Sequence, residues 1–107
     1  MNIGLDDMRV TIVIPMRNEE KYIGKCLESL IAQEWDGQSL EVIVVDGASQ
    51  DRSREIVESM IPRFARLKIL DNPHFITPVS LNMGVKAAIG EVVIILGAHS
   101  YVAKDFV

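Results

Sequence analysis

The sequence predicts an α/β fold built on a doubly wound, mostly parallel sheet. Four short apolar runs rich in β-branched residues lie at 10–15, 40–46, 67–70 and 92–96, and none of them alternates with polar residues. Such runs are typical of strands buried on both faces of a parallel sheet. Stretches of helical periodicity lie between them, and this alternation implies right-handed crossovers with helices on both faces of the sheet.

Three helices are predicted, two from the spacing of apolar residues and one from the residues at its ends. Residues 21–33 and 52–64 repeat apolar side chains every three or four positions. These side chains are Ile23, Leu27, Leu30 and Ile31 in the first helix, and Ile56, Val57, Met60, Ile61 and Phe64 in the second. The third helix is predicted from Thr77 as N-cap, Pro78 at the first helical position and Gly90 just past the end.

Composition and charge limit the classes of function. The chain has 107 residues, 49% of them hydrophobic and 24% charged, which indicates one folded domain with a single core. A formal net charge of −4 without a basic cluster argues against nucleic-acid binding. The longest apolar run is far shorter than the roughly 18 residues of a membrane span. The single cysteine, Cys26, cannot form an internal disulfide, so we expect a cytoplasmic location.

The candidate ligand site follows from the predicted topology. In open parallel sheets, ligands bind outside the carboxyl ends of the strands, where the strand order reverses. Polar residues follow the first strand at 16–20, the second at 46–49 and the fourth at 97–100. We therefore expect these three loops to meet and to form the site.

The residues of these loops favour some ligand contacts over others. Neither the dinucleotide fingerprint nor the P-loop pattern follows the first strand. Glu19 and Glu20 fall in the predicted first turn of the first helix, where they suit the helix dipole but would repel a diphosphate. Asp46 ends a strand, and its carboxylate could accept from a base N–H or ribose hydroxyl, hold a divalent metal, or merely start an Asp-Gly turn.

Three further loop residues have both a structural and a ligand-binding interpretation. Asp51 lies just before the second helix, and an N-cap role is favoured over ligand contact. Asn18 either caps the first helix or contacts ligand, and Ser49 is either a cap or turn residue or a ligand contact.

Four motifs in order resemble family 2 glycosyltransferases, which have the Rossmann-like, nucleotide-sugar-binding GT-A fold. They are Pro15-x-x-Asn18-Glu19, Val45-Asp46-Gly47-x-Ser49-x-Asp51, Leu81-Asn82-x-Gly84 and Gly90-Glu91. The resemblance extends from Val10 over nearly the whole chain. The triplet Ala98-His99-Ser100 is similar to members that build exopolysaccharides of the succinoglycan type.

The resemblance implies a donor site at the strand ends. Its substrate-binding residues would be Pro15, Arg17, Asn18, Glu19, Asp46, Ser49, Gly97, Ala98 and His99. The segment 97–99 falls where the family carries the Asp-x-Asp motif that holds Mn or Mg against the diphosphate. Because Gly97 and His99 replace both acids, His99 is the candidate metal ligand, and its imidazole suits Mn better than Mg. Gly47 stands where many members carry a second acid after Asp46.

The function implied by the resemblance is inverting sugar transfer. The donor would be a nucleotide sugar, the acceptor a growing polysaccharide or a lipid-linked molecule, and the general base would lie beyond Val107. The alternative is a non-catalytic α/β module that binds a nucleotide or a protein partner, which the missing Asp-x-Asp motif favours.

We expect residues 1–107 to form a nucleotide-sugar-binding domain that stops before the acceptor-binding half. The chain ends on the apolar pair Phe106-Val107, whereas natural termini tend to be polar. Membrane association is expected only through segments outside this chain. A four-stranded sheet would leave an open edge, which we expect to pair with further chain or with a second copy to give a homo-oligomer.

Overall fold

The computed structural model describes residues 10–33, 40–74, 77–90 and 92–98. Within these residues the chain alternates between strand and helix. The elements are β1 (Val10–Met16), α1 (Ile23–Gln33), β2 (Leu40–Asp46), α2 (Ser53–Met60), a 3-10 turn (Ile61–Arg63), β3 (Leu67–Asp71), α3 (Thr77–Ala87) and β4 (Val92–Ile95). None of the helices in the described part is long and apolar enough to cross a membrane.

The described strands form one parallel sheet in the order β3-β2-β1-β4. The chain moves outward from β1 through β2 to β3 and then returns to place β4 on the other side of β1. The strand order therefore reverses between β1 and β4, and ligands of open α/β sheets bind outside that point. The predicted doubly wound, parallel architecture is confirmed.

Helices cover both faces of this sheet. On one face, Ile12 and Ile14 of β1 pack in a core cluster with residues of α1 and α2, among them Leu27 and Val57. On the other face, Val13 packs in a second cluster with apolar residues of α3. Successive strand residues point to opposite faces, so the unbroken apolar run of β1 supplies both clusters at once.

The two outer strands differ from the prediction that all four strands are buried on both faces. Every residue of β2 is buried, whereas burial alternates along β4. Val93 and Ile95 are 37% and 46% exposed. The prediction is wrong for β4 because Val93 and Ile95 belong to neither core cluster, whereas Val92 and Ile94 pack against the first one.

The first helix begins later than predicted. It starts at Ile23 rather than residue 21, and the turn before it is closed by the Glu19 carbonyl, which accepts from the N–H groups of Tyr22 and Ile23 at 2.9 Å each. Glu19 and Glu20 therefore precede α1 and do not occupy its first turn.

The second helix ends at Met60 rather than at residue 64. Pro62 lacks an N–H and its ring conflicts with a continuing α-helix, so the chain tightens into a 3-10 turn there. The change in winding leaves Ile61 exposed, contrary to the predicted core face, while Phe64 is still buried.

Two glycines of the predicted motifs allow close backbone approach. A Cβ on Gly84 would overlap with the Cγ1 atom of Val13, so α3 lies directly on β1. A Cβ on Gly90 would lie 2.7 Å from the backbone nitrogen of Thr11. The α-helix ends at Ala87, and Gly90 packs against β1 instead of capping the helix, so its N–H donates to Thr11 Oγ1 at 2.9 Å.

A buried polar cluster holds the connection between α3 and β4 at the amino end of the sheet. Glu41 is only 5% exposed, and its Oε1 accepts from Thr11 Oγ1 at 2.8 Å and from the Ile89 N–H at 3.1 Å. Lys68 Nζ lies 3.8 Å from the other carboxylate oxygen of Glu41. These hydrogen bonds and the nearby Lys68 ammonium compensate the buried charge of Glu41. The cluster therefore stabilises the fold, and a ligand is not needed to explain it.

We predict that Gly84→Ala lowers the free energy of unfolding by about 1 to 3 kcal/mol, the usual cost of overpacking a close contact. Gly24→Ala is the matched control, because a Cβ there would meet Ile56 Cγ2 at 3.6 Å, an ordinary contact. Urea unfolding measures both, and the control is expected to be neutral or slightly stabilising. Equal losses in the two variants would contradict the role given to Gly84.

Candidate functional site

A cleft of about 400 Å³ opens at the point where the strand order reverses. It is lined by the carboxyl end of β1, the loop after β4 and the start of α3. The lining residues are Pro15, Met16, Arg17, Glu19, Thr77, Ser80, Gly97 and Ala98. The predicted site residues at 15, 17, 19, 97 and 98 are thus brought together. Its position is the one at which open parallel sheets bind ligands.

A second, smaller cavity of about 170 Å³ lies at the carboxyl ends of β2 and β3. Its lining consists of Asp46, Ala48, Asp71, Asn72 and Pro73. The predicted site residue Asp46 therefore lies at a different cavity from Gly97 and Ala98. The order of the strands explains this, because β1 stands between β2 and β4.

One hydrogen bond connects the walls of the two cavities. Asn72 Nδ2 donates to Ser80 Oγ at 2.8 Å, and both residues are buried. Asn72 lines the smaller cavity and Ser80 lines the cleft. This bond joins the end of β3 to α3. It crosses the edge of the sheet formed by the carboxyl ends of the strands, which we call the ligand edge.

Asp46 is a buried carboxylate with partners on several sides. Its side chain is 4% exposed, Oδ1 accepts from the Ser49 N–H at 3.0 Å, and Oδ2 lies 3.5 Å from Arg54 Nη1. Its backbone carbonyl accepts from the Asn72 N–H at 2.8 Å. The carboxylate does organise the turn that follows it, as one interpretation held, and it also faces a cavity.

Arg54 connects the acidic groups at this end of the sheet. Its guanidinium donates to Asp71 Oδ1 and, at 3.3 Å, to Glu58 Oε2. The hydrogen bond to Asp71, helped by charge attraction to Asp71 and Asp46 and by the bond to Glu58, raises the pKa of Arg54 above its ordinary value despite partial desolvation. One cation thus faces three carboxylates, so the net charge here is negative and suits hydrogen-bond donors better than phosphate.

The loops after β1 and β2 are joined by reciprocal hydrogen bonds, which we call the loop clasp (residues 18–20 with 49–53). The Asn18 N–H donates to Ser49 Oγ at 2.9 Å, and the Gln50 N–H donates to Asn18 Oδ1 at 2.7 Å. Asn18 therefore does not cap α1, which corrects that interpretation. Its φ of 53° lies in the left-handed region, which Asn tolerates better than most residues.

Acidic side chains complete the loop clasp. The Glu19 N–H donates to Ser53 Oγ at 2.6 Å, the Glu20 N–H to Asp51 Oδ2 at 3.2 Å, and the Arg52 N–H to Glu20 Oε1 at 3.0 Å. Asp51 Oδ1 also accepts from the Ser53 N–H at 2.9 Å, at the start of α2. The prediction that Asp51 is the N-cap is wrong, because the N-cap of α2 is Arg52, which makes no side-chain capping bond. Asp51 instead precedes the cap and accepts from the first N–H of the helix. The clasp also uses the side chains of Asn18 and Ser49. Their contact with a ligand stays a prediction.

The thiol of Cys26 is excluded as a nucleophile. Burial, with a smaller contribution from the charge of Glu19, raises its pKa to about 12. The side chain belongs to the core cluster, and its Sγ lies 3.8 Å from the carbonyl oxygen of Gly97. The residue therefore helps to hold the loop after β4 against α1.

The described residues do not supply a metal site. Among them, no group of three or more His, Cys, Asp or Glu side chains is placed to hold an ion. Gly97, at the position of the first family acid, and the following Ala98 carry no side-chain ligand atoms. The candidate ligand His99 lies outside the described residues, so the expected metal contact there stays a prediction.

Several polar residues of the ligand edge were not predicted. Asp71 ends β3 and Asn72 follows it, and the rule applied to the other strand ends would have found them. Thr77 and Ser80 line the cleft because α3 returns across β1, which depends on the strand order. Arg54 belongs to a helical stretch whose sequence gives no sign of its carboxylate partners.

Residues 11–107 match the family model described as glycosyl transferase family 2. The chain belongs to glycosyltransferase family 2.

Its curated relatives include an enzyme of Methanococcus voltae that is 36% identical over 99 residues, which are 91% of this chain and 31% of the relative. This relative is named dolichyl N-acetyl-alpha-D-glucosaminyl phosphate 3-beta-D-2,3-diacetamido-2,3-dideoxy-beta-D-glucuronosyltransferase. The uncharacterized glycosyltransferase EpsJ of Bacillus subtilis is 33% identical over 89% of this chain and 27% of its own length.

Solved glycosyltransferase structures confirm the expected GT-A fold. Staphylococcus aureus TarS 1–349 in complex with UDP-GlcNAc superposes with a TM-score of 0.85 at 31% identity, covering 92% of this chain and 28% of that one. The mannosyltransferase PcManGT of Pyrobaculum calidifontis, in complex with GDP-Man and Mn²⁺, gives a TM-score of 0.82 at 30% identity, covering 92% and 30%. The chain thus spans less than a third of the length of these relatives.

We predict that Asp51→Ala lowers the free energy of unfolding by about 1 kcal/mol at neutral pH, the usual net contribution of a hydrogen bond, because the Asp51 carboxylate accepts from the N–H groups of Glu20 and Ser53. Partial burial would raise the pKa of the Asp51 carboxyl, but hydrogen bonds from Ser53 and from the Glu20 N–H hold it below the ordinary 3.8. A lowered folded-state pKa stabilises the fold above pH 3.8, and this contribution is lost as the pH falls through the lower value.

The measurement is urea unfolding of parent and Asp51→Ala at neutral pH and at about pH 3, below the ordinary carboxyl pKa of 3.8, where the unfolded chain is already protonated. The difference between the two proteins is expected to shrink at the lower pH. Glu55→Ala is the control, since Glu55 lies in the same helical turn in an exposed ion pair with Arg52. A difference that is independent of pH would contradict the role of the carboxylate.

Proposed function

We propose that this chain binds the nucleotide-sugar donor of an inverting glycosyltransferase, which transfers the sugar to a growing polysaccharide or a lipid-linked acceptor. The observation that carries the proposal is the cleft at the strand-order reversal, in a chain that belongs to glycosyltransferase family 2. Related structures hold UDP-GlcNAc and GDP-Man, which supports a nucleotide-sugar donor. The names of relatives include a dolichyl-linked acceptor and poly(ribitol-phosphate), which supports these two acceptor classes.

The charges of the ligand edge suggest how the donor is oriented. The acidic cavity at Asp46 and Asp71 suits the base N–H and ribose hydroxyl groups, because ionised carboxylates only accept hydrogen bonds. The cleft contains Arg17 and the amino end of α3 at Thr77, both of which favour negative charge, and also Glu19, whose carboxylate opposes it. The diphosphate is therefore expected on the side of Arg17 and Thr77. We therefore place the nucleoside end at the cavity and the diphosphate in the cleft. The described residues bind and orient the donor, and we assign none of them as the general base.

The proposal includes a divalent cation, Mn or Mg, but its protein ligands would have to come from residues that the structure does not describe. Such an ion would neutralise charge on the diphosphate when bound. Gly97 and Ala98 cannot hold it through side chains, which leaves His99 as the candidate ligand. The Mn²⁺ complex of PcManGT supports testing this ion first.

The lack of ligand side chains at Gly97 and Ala98 favours a second candidate, a nucleotide-binding module without transferase chemistry. Donor hydrolysis and sugar transfer distinguish the two, since a module of this kind would bind a nucleotide and turn over no donor. We also propose a cytoplasmic location, with which the single buried cysteine is compatible. We further propose that two copies of the chain can associate through the outer strand β4.

The test is calorimetric titration with UDP and with GDP, each with Mn²⁺ and with a chelator. Saturable binding of one of them supports the donor-binding proposal, and stronger binding with Mn²⁺ supports a metal at the diphosphate. A chain that binds neither nucleotide would overturn the proposed function.

We predict that Asp46→Asn weakens binding of the preferred nucleoside diphosphate by about 1 to 3 kcal/mol, because a charged acceptor becomes a neutral amide. Glu28→Gln is the control, since Glu28 lies on α1 and pairs with Arg63 at the surface. Circular dichroism checks that both variants are folded. If Asp46→Asn binds the nucleotide as tightly as the parent does, Asp46 has only a structural role in the turn and does not contact the ligand.

A further inference from the structure

The guanidinium of Arg54, in the first turn of α2, lies between carboxylates at the ends of two neighbouring strands. Its Nη1 is 3.5 Å from Asp46 Oδ2 and also donates to Asp71 Oδ1. Asp46 and Asp71 are register partners of β2 and β3, so their like charges lie side by side. This arrangement is unfavourable without a cation. Arg54 therefore offsets a repulsion that the two strand ends create.

The two carboxylates depend on Arg54 to different degrees. Asp71 is 71% exposed, and water screens its charge, whereas Asp46 is 4% exposed and cannot rely on solvent. The distance of 3.5 Å to Asp46 exceeds that of an ordinary hydrogen bond, about 2.7 to 3.2 Å. Arg54 thus compensates the buried charge while Oδ2 keeps capacity to accept a hydrogen bond from a ligand.

We propose that Arg54 is a positioning residue for donor recognition, which holds the Asp46 carboxylate at the wall of the smaller cavity. The ligand group that it serves is the nucleoside end of a nucleoside diphosphate, whose N–H and hydroxyl groups match an ionised acceptor. The inference rests on the proposed function, since it requires a nucleotide at this edge. Asp46 makes the contact, and Arg54 acts through it.

The experiment is a double-mutant cycle of Arg54→Ala and Asp46→Asn, with calorimetric titration of UDP and GDP. Arg54→Ala is expected to raise the Kd of the better-binding nucleotide about tenfold, a size typical of coupled neighbours. The same substitution is expected to change the Kd little once Asp46 is Asn. A merely structural role would not produce this loss of effect. Arg63→Ala is the control, because Arg63 follows α2 at its other end and pairs with Glu28.

Each outcome decides a separate point. Equal affinity of parent and Arg54→Ala, or additive effects of the two substitutions, overturns the role of Arg54 and leaves the proposed function intact. If the parent binds neither UDP nor GDP, the proposed function fails and the role of Arg54 fails with it. If Arg54→Ala does not fold, the cycle is run with Arg54→Lys, which keeps the charge but cannot bridge two carboxylates as a guanidinium does.

Discussion

The buried carboxylate of Asp46 is the constraint on which the ligand edge of the sheet depends. A charge almost removed from water at the end of a central strand is costly unless it is paired and hydrogen-bonded. Its partners come from separate parts of the chain: the Ser49 N–H from the following loop and Arg54 from α2. The carbonyl of the same residue accepts from the Asn72 N–H after β3. One residue thus fixes how these three segments meet.

The loop clasp extends this constraint to the loop after β1. Asn18 and Ala48, one in each loop, have φ values of 53° and 59°, which cost free energy in residues other than glycine. Hydrogen bonds such as that from the Asn18 N–H to Ser49 Oγ keep the loops in this conformation. The cleft is therefore lined by a loop whose backbone is already held in place before any ligand binds. Such preorganisation reduces the entropy that binding must otherwise lose.

Local patterns predicted most of the fold, and long-range contacts explain the rest. The strands were recognisable because central parallel strands need apolar residues on both faces, and Ile23 and Leu27 reveal the core face of α1. The predicted end of α2 is wrong because apolar residues keep helical spacing as far as Phe64, whereas Pro62 converts the chain after Met60 into a 3-10 turn. The bond from Gln50 to Asn18 joins residues far apart in sequence, and no local pattern predicts it.

The four sequence motifs that resemble family 2 glycosyltransferases contain two kinds of residue. Some support the fold, and others lie at the ligand edge. Gly84 and Gly90 allow α3 and the following loop to lie on β1, and Asp51 joins the loop after β1 to the start of α2. Pro15 and Asp46 instead line the cavities. The motifs therefore contain residues that line the candidate cavities as well as residues that support the fold, and the sequence alone does not separate the two groups.

The spacing of the two cavities connects the architecture to the proposed donor. Asn72 lines the smaller cavity, Ser80 lines the cleft, and the buried hydrogen bond between them fixes one wall against the other. A nucleotide sugar is an elongated ligand whose nucleoside and diphosphate ends need different surroundings. The acidic end at Asp46 and the cleft beside Arg17 provide them on opposite sides of the β1 end. Gly84 lets α3 lie close on β1, since a Cβ there would overlap with Val13, and α3 carries Ser80 to the wall of the cleft. The geometry of the proposed donor site therefore depends in part on packing in the core.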